Sequence, residues 1–219
     1  MYCNAPKVVP VLLLLLLLGE AAATSQNATL EILPRASFPA AKCLDGSPFG
    51  VYRAPAAAGA TAEEKSTWVV LLNGGGLCTS ASDCLGRAKT SLGSSTRFAP
   101  VFDVNSISLL SSDPRNPFRN AHRVFVPYCT GDMHAGRRTA PGADNATWGL
   151  YFSGYHNIQA TVQYLSNTYG MNTTGNTLVW SGGSAGGVGV FSTLDLVAAS
   201  IPEVRVVGAP VGGFPPEVF

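Results

Sequence analysis

Short apolar runs recur along the chain, and they predict the strands of a buried sheet. The runs are rich in β-branched residues and end at glycine or polar residues, as is typical of strands buried in a parallel sheet. The predicted strands are Thr67–Leu72, Val124–Tyr128, Thr177–Trp180 and Glu203–Gly208, with a further strand at Gly50–Tyr52. Residues 24–42 are predicted to be an irregular lead, and residues 54–62 an exposed loop.

Helical patterns separate the later strands. Apolar residues at Ile158, Val162 and Leu165 have the spacing of an amphipathic helix and predict one over Gly154–Tyr169. A second helix is predicted over Val188–Ala199. Strands that alternate with helices indicate an α/β fold, built on a mostly parallel sheet flanked by helices.

The N-terminus has the pattern of a secretory signal peptide over residues 1–23. Lys7 precedes an apolar run that includes Leu12–Leu18, and the small residues Ala21–Ala23 follow. An uncleaved signal anchor is the alternative. Pro10 interrupts the run, and the run is shorter than the roughly 20 residues that a membrane-spanning helix needs. No later segment is apolar enough to span a bilayer.

Composition agrees with export and excludes some partners. The net charge is +1 and charged residues make up 12%, so no basic patch suggests that the protein binds nucleic acid.

The cysteines favour disulfides. Four of the five cysteines follow the signal peptide, and an even number in an exported chain favours two disulfides. A zinc site is the alternative, but the spacings between the cysteines are poor for zinc. Cys78 and Cys84 are expected to pair around a loop, which leaves Cys43 with Cys129. Three sequons predict glycosylation at Asn27, Asn145 and Asn172.

The strongest indication of chemistry is the segment Gly182–Gly186, which has the Gly-x-Ser-x-Gly pattern of a nucleophile elbow. It follows a predicted strand and precedes a predicted helix, the context that the motif requires. Glycines on both sides allow a strained turn to expose Ser184. A phosphate-binding loop is the alternative, but the Gly-Lys-Ser/Thr ending is missing.

A second glycine-rich segment, Asn73–Cys78, follows the strand Thr67–Leu72. A glycine turn upstream of an elbow is where hydrolases place part of the oxyanion hole, together with the N–H of the residue after the nucleophile. Taken alone, three glycines after a strand would indicate only a turn.

Several segments, in order, resemble the pectin acetylesterase–Notum family. They cover residues 43–187. The matching segments are Cys43–Pro48, Gly74–Cys78 with Asp83, Cys84 and Arg87, Leu92–Ser95, Asn116–Phe118 with Asn120, Val124–Asp132, Tyr151 and Phe152 with Gly154, and Ser181–Gly187. Two positions depart from the family pattern. This chain has Leu77 where the family usually has Trp, and Gly183 where the family usually has Cys before the nucleophile.

The resemblance implies a secreted, α/β-hydrolase-like carboxylesterase that acts on an acylated polysaccharide or an acylated protein. It implies that Ser184 is the nucleophile and that Gly75, Gly76 and Ala185 form the oxyanion hole. It also implies that residues 24–219 are the N-terminal part of a single esterase domain. No metal or organic cofactor is expected, and nothing in the sequence indicates an oligomeric state.

The general base is missing from the expected place. An α/β-hydrolase triad runs Ser, then Asp or Glu, then His. Here His122, His134 and His156 all precede Ser184, and only Asp195, Glu203 and Glu217 follow it as acids. His134 could be offered as a substitute base, but a loop histidine is the favoured interpretation.

Two accounts of the missing base remain open. The chain is a fragment or truncated version of an esterase, or it is a short non-catalytic protein that binds glycan or lipid on the same fold. A different α/β-hydrolase, such as a lipase, is a third hypothesis that the cysteine-rich segments disfavour.

Overall fold

The computed structural model describes residues 27–142 and 147–213. The predicted signal peptide, Asn145 and Glu217 lie outside these ranges. The described residues build one seven-stranded sheet with the order β4-β1-β2-β5-β3-β6-β7. The strands are β1 Ala28–Ile32, β2 Gly50–Ala54, β3 Thr67–Leu72, β4 Val101–Phe102, β5 His122–Val126, β6 Thr177–Gly183 and β7 Arg205–Val211.

The four strands predicted from long apolar runs form the parallel half of the sheet. β5, β3, β6 and β7 lie side by side, and each neighbouring pair is parallel. Leu72, the last residue of β3, pairs with Val126 of β5 and with Gly182 of β6. The three strands therefore end together, and the loops that follow them leave from one edge of the sheet.

The other half of the sheet is antiparallel and was only partly predicted. β1 pairs with β2 and β4, and β2 pairs with β5, all antiparallel. The prediction that residues 24–42 are irregular was wrong, because β1 lies within them. β1 has no apolar run to mark it: Ala28 is its one fully buried residue, and Glu31 pairs with Arg53 of β2 at 2.9 Å.

In the described part of the chain, four α-helices accompany the sheet: α1 Ala62–Lys65, α2 Ala81–Arg87, α3 Gly154–Tyr169 and α4 Ala185–Ser200. α3 has the predicted bounds. α4 begins three residues before the prediction, because Ala185 enters the helix directly from the turn at Ser184. α1 was not predicted: its first residue, Ala62, ends the predicted loop of residues 54–62, and Thr61 and Glu64 form a capping box at its start.

The sheet is covered on both faces. On one face, residues of α3 and α4 such as Ile158, Leu165 and Val190 pack against Val70, Leu72 and Trp180 of the strands. On the other face, Val69, Leu71 and Phe125 pack against the 3₁₀ turns at Val104–Ser106 and Ser108–Leu110. The two-faced burial explains the continuous apolar runs of the parallel strands. None of the described helices combines the length and apolarity that crossing a bilayer would require.

The four cysteines within the described ranges form two disulfides, with the pairing that the sequence favoured. Cys43 bonds Cys129 and ties the loop after β1 to the end of β5, across 86 residues of sequence. Cys78 bonds Cys84 and ties the glycine-rich segment after β3 to α2. The second disulfide places α2 beside the candidate site.

Candidate active site

Three loops meet at the carboxyl ends of the neighbouring parallel strands β3, β5 and β6. Asn73–Gly76 follows β3, Pro127–His134 follows β5, and Ser184 follows β6. We call Asn73–Gly76 the oxyanion loop, after the role that the sequence analysis predicted for it. Its place beside Ser184 follows from the parallel register of β3 and β6, in which Leu72 lies opposite Gly182.

Ser184 is exposed and has a backbone conformation that non-glycine residues rarely adopt. Its φ is 54° and its ψ is −120°, and its N–H donates to Val211 O of β7 at 3.0 Å. Such a conformation costs on the order of 1–3 kcal/mol, and strained residues cluster at functional sites. The strand, the strained turn and the helix together form the elbow geometry that the sequence predicted.

Close packing explains the glycines around Ser184. A Cβ on Gly186 would lie 2.0 Å from Leu72 O, and one on Gly182 would lie 2.4 Å from Gly186 O. A Cβ on Gly74 would lie 2.7 Å from Gly183 O. At Gly183 itself a Cβ would meet nothing within 4 Å, so this position has room for the Cys that is usual in the resembled family.

The oxyanion loop has free N–H groups at the positions that the sequence predicted. Gly75 and Gly76 have φ values of +153° and +71°, and within the described ranges their N–H groups donate to no acceptor. Ala185, only 4% exposed, is the first residue of α4, where N–H groups lack intrahelical partners and the helix dipole favours negative charge. The structure therefore brings Ser184 together with Gly75, Gly76 and Ala185.

The carbonyl groups of the oxyanion loop, in contrast, accept hydrogen bonds from described side chains at three of the four residues, all but Gly74. His134 Nε2 donates to Asn73 O at 2.9 Å, Arg87 Nη1 donates to Gly75 O, and Tyr128 O–H donates to Gly76 O at 2.8 Å. Burial raises the pKa of Tyr128 well above its usual value, so the phenol keeps its proton and remains a donor. Sequence reasoning assigned no role to Tyr128.

His134 is an anchor of the oxyanion loop rather than a base. Only 2% of its surface is exposed, and its ring lies against Tyr128. A carbonyl oxygen only accepts hydrogen bonds, so the Nε2 that faces Asn73 O carries the proton. Burial lowers the pKa of His134 below its usual value, more than the nearby Asn73 carbonyl and Asp132 carboxylate raise it. No motif in the sequence marks this role.

Asp132 connects this loop to α3. Its Oδ1 accepts from the N–H of His134 at 3.1 Å and from Thr130 Oγ1 at 2.6 Å, and its Oδ2 accepts from Gly154 N–H at 2.9 Å. His134 and Met133 both have positive φ, near 60°. The Asp132 contacts hold this unusual turn in place behind the oxyanion loop.

None of the three histidines contacts Ser184 through a hydrogen bond. His122 stacks on Trp68 with ring centroids 4.1 Å apart, and its Nδ1 accepts from Ala56 N–H. His156 Nε2 lies 3.3 Å from Arg137 O. The described residues thus provide the predicted nucleophile and the predicted oxyanion hole without a base beside them.

Two other features noted in the sequence are the glycosylation positions and the departure from the family pattern at Leu77. Asn27 and Asn172, two of the predicted glycosylation positions, are exposed. Leu77, which replaces the Trp of the resembled family, is 45% exposed next to Gly76. Within the described ranges, no group of three or more His, Cys, Asp or Glu side chains is placed to hold a metal ion.

Comparison with known proteins shows the family to which the chain belongs. The family model described as "Pectinacetylesterase" matches residues 21–215. The chain belongs to this family. Its relatives include palmitoleoyl-protein carboxylesterase notum1' of Xenopus laevis, 36% identical over 177 residues, and pectin acetylesterase 5 of Arabidopsis thaliana, 34% identical over 163 residues.

Among solved structures, the Wnt deacylase Notum from Drosophila matches with a TM-score of 0.71 at 25% identity. The match covers 84% of this chain and 52% of the Drosophila chain. This similarity confirms the predicted α/β-hydrolase-like fold for a member of the pectinacetylesterase family.

The chain spans about a third of the length of the curated relatives. The match to the Xenopus protein covers 78% of this chain and 33% of the relative, and the match to the Arabidopsis protein covers 74% and 36%. The range that the family model matches, residues 21–215, includes both the elbow and the oxyanion loop.

Proposed function

We propose that this chain carries the nucleophile and the oxyanion hole of an exported carboxylic ester hydrolase. One observation supports this function best: Ser184 has the strained elbow conformation at the strand–helix junction, beside a glycine loop whose N–H groups are free. The two disulfides and the predicted signal peptide support export, because disulfides persist in oxidising compartments.

The proposed reaction is acyl transfer through an acyl-enzyme. Ser184 Oγ attacks the ester carbonyl carbon, and the N–H groups of Gly75, Gly76 and Ala185 donate to the oxygen that becomes negative. Collapse of the tetrahedral intermediate releases the alcohol, and water then hydrolyses the acyl-serine. Preorganised donors of this kind typically contribute about 2.7–4 kcal/mol each to lowering the barrier.

A base must accept the proton of Ser184, and the described residues place none beside Oγ. We propose that the base and its orienting acid come from a polypeptide segment other than residues 27–142 and 147–213. The order of triad residues in this fold, with both partners after the serine, supports that assignment.

The substrate class is an acyl ester on an extracellular polymer. The names of the relatives support two versions, since one relative is a pectin acetylesterase and another is a palmitoleoyl-protein carboxylesterase. The first version predicts release of acetyl groups from a polysaccharide, and the second predicts release of a long acyl chain from a protein.

A non-catalytic binding protein on the same fold is the second candidate. The absence of a histidine beside Ser184 in the described part of the chain favours it. On this hypothesis, acylated polymer binds equally well to the wild type and to a variant that lacks the serine hydroxyl.

The decisive measurement compares wild type with Ser184→Ala on p-nitrophenyl esters of increasing acyl length, after expression through a secretory pathway. We expect Ser184→Ala to lose at least about a thousandfold in kcat, because the acyl-enzyme cannot form. Ser192→Ala, which alters an exposed serine of α4, should keep wild-type activity. A fluorophosphonate that labels Ser184 in wild type would support the esterase. Hydrolysis that survives in Ser184→Ala would exclude Ser184 as nucleophile, and binding without hydrolysis would favour the second candidate.

A further inference from the structure

The peptide between Gly75 and Gly76 decides where one predicted oxyanion donor points. In a trans peptide the C=O of one residue and the N–H of the next point in opposite directions. The described chain has no cis peptides. The direction of Gly76 N–H is therefore fixed by whatever holds Gly75 O.

That carbonyl is held by Arg87. Arg87 is the last residue of α2, its Nη1 donates to Gly75 O, and its side chain is only 17% exposed. The same guanidinium donates from Nε to Asp83 Oδ1 at 3.0 Å. Two donors in fixed directions lock the guanidinium plane, which a lysine ammonium cannot reproduce.

The neighbouring peptides are held separately. Tyr128 O–H donates to Gly76 O, and its oxygen in turn accepts from Met133 N–H at 2.7 Å. His134 holds Asn73 O on the other side. Cys78, two residues after Gly76, is bonded to Cys84 in the same helix as Arg87. The Gly75–Gly76 peptide is thus the part of the loop whose orientation depends on Arg87.

Glycine makes this peptide easy to flip. Gly75 and Gly76 have φ values of +153° and +71°, and without a Cβ both residues can also adopt the mirror conformations. A flipped peptide would turn its N–H toward the guanidinium, which is a donor with no acceptor to offer, and would turn its carbonyl away from Arg87. Arg87 therefore favours the orientation in which Gly76 N–H is free.

We propose that Arg87 is a positioning residue of the active site, which orients Gly76 N–H for the oxyanion by holding Gly75 O. The catalytic consequence rests on the proposed esterase function, whereas the orientation of the peptide does not. Arg87 acts through the loop and does not touch the substrate.

The test uses the full chain with Arg87→Met, Arg87→Lys and the control Arg119→Met. Arg87→Met keeps a long stem without donors, and Arg87→Lys keeps the charge without the planar fork. Arg119 also donates from Nη1 to a loop carbonyl, that of Pro114. Arg119→Met therefore removes the same kind of hydrogen bond as Arg87→Met, but at a different loop. Glycine-selective ¹⁵N labelling reports the Gly76 amide signal, and hydrolysis of p-nitrophenyl acetate reports kcat and KM separately.

We expect the Gly76 amide signal to shift or broaden in both Arg87 variants and to overlay that of wild type in Arg119→Met. We expect kcat to fall by about tenfold or more in the Arg87 variants while KM stays within about twofold, because the oxyanion contact forms in the transition state. Arg119→Met should retain both constants.

The two proposals fail in different ways. If wild type and Ser184→Ala are equally inactive, the esterase function fails, and the Gly76 signal still decides the role of Arg87. If wild type is active and Arg87→Lys keeps both its kcat and its Gly76 signal, the positioning role of Arg87 is overturned. A variant that unfolds is recognised by collapse of the whole amide spectrum, and Arg87→Lys then carries the decision because it preserves the charge and the stem.

Discussion

At the scale of single residues, the candidate site depends on places where a side chain would not fit. The elbow brings the start of α4 against the end of β3, and Gly186 lies where a Cβ would approach Leu72 O to 2.0 Å. Backbone on both sides leaves no flexible group to move aside. The nucleophile-elbow pattern requires glycines on both sides of the serine, and the structure shows the close backbone contact that excludes a side chain at Gly186.

We expect Gly186→Ala to destabilise the protein by about 2 kcal/mol or more, since the new methyl group must separate α4 from β3. Gly86→Ala is the matched control: this glycine also lies in a helix, and its Cβ would meet nothing within 4 Å. It should be neutral or stabilising by up to about 1 kcal/mol. Urea unfolding of both variants measures the difference, and similar midpoints for the two would contradict the packing argument.

At the scale of elements, the two disulfides differ in how far apart their cysteines lie in the sequence. Cys43–Cys129 closes a separation of 86 residues, whereas Cys78–Cys84 closes one of 6. The short disulfide restricts the unfolded chain less than the long one does, but it fixes α2, and with it Arg87, next to the oxyanion loop. We therefore assign stability mainly to the long disulfide and local geometry to the short one.

Replacing each pair by alanines separates these roles. By the loop-entropy relation, loss of Cys43–Cys129 should cost about 4.6 kcal/mol and loss of Cys78–Cys84 about 2.4 kcal/mol. The free energy of unfolding of the two double variants, measured in urea, checks the order. A larger loss from the short disulfide would show that native contacts, rather than closure of the unfolded chain, decide its contribution.

At the scale of the whole molecule, burial of histidines links global stability to pH. Burial lowers the pKa of His134, and burial followed by the charge of Arg53 lowers the pKa of His122. In each case the unfolded chain binds a proton at a higher pH than the folded protein does. Stability is then greatest above the usual histidine pKa near 6.5 and falls as pH decreases below it.

We expect the free energy of unfolding in urea to be lower at pH 5.5 than at pH 7.5. His134→Gln should show a smaller decrease, because glutamine can still donate to Asn73 O but does not take up a proton in this range. His122 remains in that variant, so part of the pH dependence should persist. An unchanged decrease in His134→Gln would show that His134 does not contribute to it.

The sequence by itself determined the parallel half of the sheet, the two long helices and the elbow at Ser184. These features depend on local patterns: continuous apolar runs, helical periodicity, and glycines at fixed spacing around a serine. The family resemblance likewise added Gly75, Gly76 and Ala185 to the site. β1 was not predicted because it has few buried side chains and is held by pairing with neighbouring strands, which leaves no such local pattern in the sequence.

Only the tertiary structure decided what holds the oxyanion loop. Arg87, Tyr128 and His134 come from α2 and from the loop after β5, and each binds a carbonyl of a segment that lies 12 to 61 residues away in sequence. Hydrogen bonds from side chains to distant backbone atoms leave no periodic trace, since every residue offers the same carbonyl. The elbow conformation of Ser184 was therefore predictable from neighbouring residues, whereas the contacts that hold the glycine loop beside it depended on which loops the parallel register brings together.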